Sequence, residues 1–492
     1  MTTPSMARTG AHPQRWLILG VICLAQLTVL LDNTVLNVAI PSLTRELDAS
    51  TADIQWMINA YSLVQSGLLL TAGSAADRYG RKKMLVAGLA LFGTGSLAAG
   101  FSETTAQLIA ARAGMGVGGA LLFTTTLAVV MQVFLPEEQP RAIGIWAAVN
   151  SLGFATGPLI GGFVLNHFWW GAIFLVNLPV AALGVVAVVA LVPETKDPRG
   201  DRPDLPGAFL STVGMTSLVF AIISGPSHGW TSSRVLLSAG LAVVVLALFA
   251  HWERTTPYPM LDLAFFHDRR FTGAVAGTVL VTFGMGGALF LLTQHLQFVL
   301  GYGPLEAGLR TAPLALTVVA LNFTGASAKL LAGLGGPMSV LVGMVLMATG
   351  LVSIATAGSG GYAGTLLGLL LIGAGTAVAG PAMAHAIMSS IPPAKAGVGA
   401  GINGTLGEFG NGLGVAVLGA VLNARFAAVS LPVALVAANS ASEKARLIES
   451  FSSGLETSLL LGASAVLLGG SVAAALLHRA ERKDEPPLLA TP

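Results

Sequence analysis

One cysteine stands in the 492 residues, Cys23, so the chain can build neither a disulfide framework nor a thiolate metal site. It lies inside a long apolar run, the usual place of a small buried residue. Charge is nearly as scarce. Charged residues make up 10% of the chain, against about 25% in an ordinary soluble domain, and a net charge of +2 is too small to argue for nucleic acid. There is no His-Glu-x-x-His helix and no phosphate-binding Gly-x-x-x-x-Gly-Lys-Ser/Thr loop, which argues against a metalloprotease or an ATP-driven machine. The chain reads as a non-enzyme, with no catalytic residue, metal or cofactor expected. What fills it is apolar: 54% hydrophobic residues and 61 glycines without a collagen-like period. Glycine and alanine in such segments let helix backbones approach closely in lipid.

Apolar runs of about the length that crosses ~30 Å of hydrocarbon recur along the chain. They fall at 16–40, 54–74, 84–101, 106–133, 141–165, 170–192, 206–225, 234–251, 271–295, 307–330, 337–357, 363–390, 397–423 and 454–478. The pattern predicts an all-α integral membrane protein with fourteen spans, an even number that puts both termini on one side. Lys and Arg concentrate on the cytoplasmic side of membrane proteins. Placing the N-terminus there collects most of the cations, Arg78, Arg81, Lys82 and Lys83 among them, and leaves Arg45, Arg234, Arg310, Arg425, Lys444 and Arg446 opposite. Both termini are therefore expected in the cytoplasm. A cleaved signal peptide has an apolar core of about 7–15 residues; the first run here is longer and reads as retained.

The expected organisation is a tail over 1–15, six helices over 16–192, a charged, proline-rich linker over 193–205 and two further helices over 206–251. A second set of six follows over 252–478, interrupted by an external loop at 424–453, and a tail closes the chain at 479–492. Residues 440–449 have the pattern of a short, solvated surface helix.

Against this apolar background the intramembrane charges stand out. Asp32 lies well inside the first run, where a charged side chain costs roughly 2.5–3.5 kcal/mol and marks a functional site by default. Arg112, in the fourth run, is the natural counter-ion, unless its long side chain snorkels to the surface. Glu408 sits in the glycine-rich thirteenth run, either as a second working carboxylate or as a group tied to Asn403 or Asn411. His295 and His385 are weaker candidates for a proton relay, since a buried neutral histidine is the commoner case.

Several stretches carry a resemblance. Gly73-Ser74-Ala75-Ala76-Asp77-Arg78-Tyr79-Gly80-Arg81-Lys82, between runs two and three, resembles the loop signature of the major facilitator superfamily, with Ala75 where a larger residue is usual. Gly153, Gly157, Pro158, Gly161 and Gly162 in run five resemble the antiporter motif of its exporters. Leu31-Asp32-Asn33-Thr34-Val35-Leu36-Asn37-Val38-Ala39-Ile40-Pro41 resembles the first-span motif of its fourteen-span drug:proton antiporters, and Arg112 stands where that superfamily has its fourth-span arginine, with Ala113 and Met115 departing from the usual pattern.

The resemblance implies a major facilitator fold of two six-helix halves, each of inverted three-helix repeats, with two inserted central helices. It also implies a conformational latch at Gly73, Asp77, Arg78, Gly80 and Arg81, and proton-coupled export of hydrophobic, cationic drugs, dyes or antibiotics across the cell membrane. The partners implied are a small-molecule substrate, protons and lipid, without nucleic acid or an obligatory protein. Export of an endogenous metabolite or self-made antibiotic, proton-coupled import, and a membrane sensor without transport remain as alternatives.

Overall fold

The computed structural model describes residues 13–135, 138–195, 203–357, 362–391, 396–425 and 440–484. The core of the charged linker (196–202), most of the loop before the last helix (426–439) and both tails (1–12 and 485–492) lie outside the described residues.

Helix is the secondary structure of the described chain. In order come α1 (Arg15–Glu46), α2 (Thr51–Tyr79), α3 (Arg81–Gly100), α4 (Thr105–Val133), α5 (Gln139–His167), the single turn α6 (Ala172–Leu175) and α7 (Asn177–Leu191). Next are α8 (Leu205–His228), α9 (Ser233–Thr255), α10 (Arg269–Gln294), α11 (Pro304–Phe323), α12 (Ala326–Ala357), α13 (Tyr362–Ser389), α14 (Ala396–Arg425) and α15 (Ala441–Asp484). Side chains set the starts. Ser50 and Asp53 form a reciprocal capping box on α2, Thr104 caps α4 through the Gln107 amide, and Asp204 caps α8 through the Gly207 amide. Gly80, at φ +115°, makes the sharp break between α2 and α3 that a residue with a Cβ rarely adopts.

Twelve of these helical segments, with α6 and α7 taken as one, are long and apolar enough to cross a membrane. The two long helices outside that set, α2 and α5, correspond to the second and fifth apolar runs of the sequence; of these α2 is the polar one. Its neighbours explain this. Helix α2 packs on α4, α8 and α14, so its polar residues meet protein rather than lipid, while α5 packs on α1 and α11. Gln55, Asn59, Ser62, Gln65 and Ser66 of α2 are all buried.

Packing sorts the helices into groups. Contacts of α1 to α7 are dense among themselves, as are those of α10 to α15; α8 pairs with α9 and also rests on both α2 and α14. The two large groups meet along α2–α14 and α5–α11. The boundaries depart from the sequence pattern in three places. Helix α1 continues through Pro41 to Glu46. Helix α11 stops at Phe323, before Gly325 at φ +72°, and the turns from Ala326 belong to α12, which bends at Gly335 with φ 77°. The surface helix expected at 440–449 is the first part of one continuous α15, started by the Ser440 hydroxyl accepting from the Glu443 amide at 3.2 Å.

Candidate functional site

Asp32 sits near the middle of α1, about 25 Å from its start at 1.5 Å per residue. It is 4% exposed, and Arg112, across from it on α4, is 1% exposed. Arg112 Nη1 donates to Asp32 Oδ2 in a fully buried ion pair, so the snorkelling arrangement does not occur. The rest of the guanidinium is accounted for within the protein. Its Nε donates to the Met57 carbonyl at 3.0 Å, and its face lies over the Tyr61 ring at 4.4 Å. The other oxygen of Asp32 accepts from Asn177 Nδ2 at 3.3 Å, and the same amide donates to Ser96 Oγ at 3.2 Å. Five helices, α1, α2, α3, α4 and α7, thus hold one charge pair.

Tyr61 links this pair to the other group of helices. It is buried on α2, the helix against which α14, bearing the partly buried Glu408, packs from the other group. Its hydroxyl lies beside Gln65 and against Gly119, where a Cβ would come within 2.7 Å of it. Further along α2, Gln55 Nε2 donates across the seam to the carbonyls of Val415 and Ala416 at 3.0 and 2.9 Å. Tyr61 Oη, Ser62 Oγ, Asn59 Oδ1, Gln55 Oε1 and both polar atoms of Gln65 are buried without a protein hydrogen bond. A run of such atoms in a bundle interior is a polar seam that water or a polar ligand satisfies.

The glycine face of α5 packs around the Asp32 turn. Gly153 faces Leu30, where a Cβ would lie 2.8 Å from that residue's Cβ; Gly157 faces Thr34 and the Leu31 carbonyl, and Gly161 faces Val35. Gly162 turns to the other group, where a Cβ would meet Leu305 Cα at 2.6 Å and the Pro304 carbonyl at 2.8 Å; Gly308 of α11 sits against the Pro158 carbonyl. With Gln297 Nε2 donating to the Val38 carbonyl at 3.0 Å, these contacts close the end of the bundle where α1 finishes.

At the opposite end lies the Gly73 to Lys82 stretch. Asp77 accepts from Arg81 Nε at 2.9 Å and from its Nη2 at 2.5 Å. The segment after α7 braces the turn: the Thr195 carbonyl accepts from the Arg81 amide at 2.9 Å, and Glu194 Oε1 lies 2.5 Å from where a Gly80 Cβ would be. Arg78 faces a different neighbour, lining a groove of about 470 Å³ between α2, α4 and Leu205 of α8. Gly73 packs loosely against Thr124.

The histidines separate. His295 is buried in the turn of π-helix that follows α10, and its Nε2 has no hydrogen-bond partner; His385 lies on an exposed face of α13.

The family profile described as Major Facilitator Superfamily matches residues 22–415. The chain belongs to the major facilitator superfamily. It is 36% identical over 414 residues to the multidrug resistance protein Stp of Mycobacterium tuberculosis (strain CDC 1551 / Oshkosh), covering 82% of this chain and 75% of that one. It is 35% identical over 431 residues to the methyl viologen resistance protein SmvA of Salmonella typhimurium (strain LT2), covering 86% of each. The crystal structure of a bacterial homologue of the human lysosomal transporter Spinster superposes with a TM-score of 0.70 at 17% identity, over 97% of this chain and all of that one. That likeness establishes the fold.

As a major facilitator the chain is a transporter and not an enzyme, a multi-pass protein of the cell membrane acting on small molecules. One short sequence, Gly225-Pro226-Ser227-His228-Gly229, does have the Gly-x-Ser-x-Gly spacing of a hydrolase nucleophile. Its setting differs. Ser227 lies in the last turn of α8 with its hydroxyl on the Ser224 carbonyl at 3.3 Å, where a nucleophile elbow needs a strand leading into a helix.

Sequence reasoning paired Asp32 with Arg112 but gave no part to Asn177 or Tyr61. A neutral polar residue in a transmembrane run carries little penalty to signal it; the polar content of the second run was the available clue.

Proposed function

We propose that the protein is a proton-coupled antiporter that exports hydrophobic, cationic compounds such as drugs, dyes or antibiotics. The buried Asp32–Arg112 pair carries this reading. Burial favours the protonated form of a carboxyl group, and a guanidinium beside it favours the ionised form. Moving Arg112 away from Asp32 therefore loads a proton, and bringing it back releases one. The ion pair of the structure is the released state, and Asn177 keeps Asp32 oriented while Arg112 changes partner. The names of the relatives support export, and resistance to methyl viologen, a cation, supports the charge of the substrate.

Glu408 is the second carboxylate in this scheme. Exchange of one proton for one monovalent cation moves no net charge, so the pH difference alone drives it, at about 1.36 kcal/mol per unit. A second proton taken up at Glu408 recruits the membrane potential as well, about 2.3 kcal/mol per charge at 100 mV. The buried polar atoms of Gln55, Asn59, Tyr61, Ser62 and Gln65 lie on α2, which packs on both α4 and α14, and suit a hydrated route between the two carboxylates.

The same reading assigns fourteen spans, α2 and α5 among them, with both termini in the cytoplasm, two six-helix halves over 16–192 and 252–478, and an inserted pair over 206–251. The Asp77 loop then faces the cytoplasm as a conformational latch, and the α5–α11 contact closes the outer end, with the glycines of α5 setting the antiport direction. His295 remains a candidate relay from its buried position; the exposed His385 is the weaker of the two. Efflux of a fluorescent cationic dye from cells carrying Asp32→Asn or Glu408→Gln tests the scheme. Active efflux is lost in the first variant and reduced in the second; unchanged efflux in the Asp32 variant would sink the mechanism.

A further inference from the structure

Away from the Asp32 site, two more carboxyl groups are buried against each other. Asp204 precedes α8 and is 7% exposed; Glu253 lies in the last turn of α9 and is 4% exposed. Each has its N–H donors. Asp204 accepts from the Gly207 amide at 2.9 Å and from the Trp252 indole at 2.9 and 3.2 Å, and Glu253 Oε2 accepts from the Leu261 amide at 2.8 Å. Glu253 Oε1 has no donor to accept from, although it is fully buried. It points at Asp204. The two converge on the bare Cα of Gly207, where a Cβ would lie against Asp204 Oδ2 and 2.7 Å from Glu253 Oε1, and the two side chains are within hydrogen-bonding reach of one another.

Two carboxylates cannot hydrogen-bond to each other without a proton, and like charges this close in a desolvated site do not both ionise. Among the described residues neither carboxyl forms an ion pair. Among the described residues the charged and titratable groups nearby are few. His251 and Arg254, beside Glu253 on α9, are exposed, as is His267; Asp262 caps the next turn through the Ala264 amide, and Arg78 of α2 lines the groove beside Leu205. Among the described residues the pair has too few oxygen ligands to hold a metal ion and is flanked by N–H donors, so a proton is the cation that fits.

We propose that Asp204 and Glu253 form a proton-binding site of their own, an acid–carboxylate pair whose single shared proton keeps the inserted helices docked. The surroundings give the proton leverage. The Asp204 carbonyl accepts from Thr71 of α2 at 3.3 Å, and the same threonine meets the sulfur of Met260 at 3.9 Å. Glu253 holds Leu261, in the segment that leads into α10. Helix α8 itself bridges α2 and α14, with Val219 and Ile223 packed against Leu63 and Ala416. Loss of the shared proton sets two anions side by side at the foot of α8 and α9, loosening both the α2 contact and the entry to α10. The pair thus senses the pH at the end of the bundle that holds Gly80.

The test is infrared spectroscopy of the full-length protein in lipid nanodiscs across a pH titration. Wild type shows one more protonated carboxyl group at neutral pH than Glu253→Gln, and loses it in a single step as pH rises. Gly207→Ala, which wedges a methyl between the two groups without removing either, loses the same band at neutral pH and serves if the glutamine variant does not fold. Asp32→Asn retains the band, so the site stands or falls independently of the transport scheme. A neutral-pH band of equal size in wild type and in either pair variant overturns the proposal.

Discussion

Replacing Asp32 with asparagine keeps the shape of the side chain and removes its charge. Arg112 then retains the Met57 carbonyl at 3.0 Å and the Tyr61 face at 4.4 Å, but stays charged at 1% exposure with no anion beside it. Leaving one partner of a buried pair uncompensated costs about 3–5 kcal/mol, whereas replacing both charges by apolar groups of similar volume is close to neutral. Asp32→Asn is therefore expected to destabilise the protein by about 3–5 kcal/mol, and the addition of Arg112→Met to restore most of that loss. The residual deficit is about 1 kcal/mol, for a lost hydrogen bond to the Met57 carbonyl. The protein carries its own reporter. Cys23 is the sole cysteine and is 7% exposed on α1, so a thiol-reactive fluorogenic dye reads unfolding on heating. Wild type melts highest, the double variant next and Asp32→Asn lowest, while neither variant exports dye. A double variant no more stable than Asp32→Asn would refute the assignment of Arg112 as a buried charge held by Asp32.

Asn177→Ala removes the hydrogen bond to Asp32 Oδ1, worth about 1.5 kcal/mol for a charged acceptor; efflux should fall roughly tenfold, with a smaller drop in melting temperature than Asp32→Asn gives. Gly162→Ala drives a Cβ to 2.6 Å from Leu305 Cα and costs about 1–3 kcal/mol of overpacking, so the yield of disulfide cross-links between cysteines placed on α5 and α11 should fall; an unchanged yield would show that this contact is slack. Gly80→Ala imposes φ +115° on a residue with a side chain and meets Glu194. A loss of about 1–3 kcal/mol is expected from the backbone, and Glu194→Ala in the same background should recover only the steric part, as read by the melting assay.

The charge pair was legible in the sequence because it is expensive. Two opposite charges in separate apolar runs each need a partner, and each other is the nearest remedy, so Asp32 and Arg112 announced themselves. The α2–α3 loop and the glycines of α5 were legible through spacing, and the structure supplies the reason: Gly153, Gly157 and Gly161 lie against the turn of α1 that bears Asp32. Neutral polar groups gave no such signal. Asn177 and Tyr61 each satisfy one side of the pair, yet in sequence they look like any amide or phenol tolerated in a span. The Asp204–Glu253 contact was hidden for another reason. Asp204 reads as a linker charge and Glu253 as a helix-end charge, and only the packing of α8 on α9 over Gly207 brings them together. Boundaries failed where hydropathy is a poor guide to backbone shape, as in α15, whose polar first turns continue unbroken into an apolar span, and at Gly335, where a bend lies inside one helical run.

The most direct test of the central claim follows protons rather than dye. Purified protein is reconstituted into liposomes that enclose a pH-sensitive fluorophore, and a cationic substrate is added outside with no other driving force. Coupled exchange predicts that substrate movement in one direction shifts the internal pH through protons moving in the other, and that Asp32→Asn abolishes the shift. Substrate transport that leaves the internal pH unchanged, or a shift that persists in Asp32→Asn, would contradict the account.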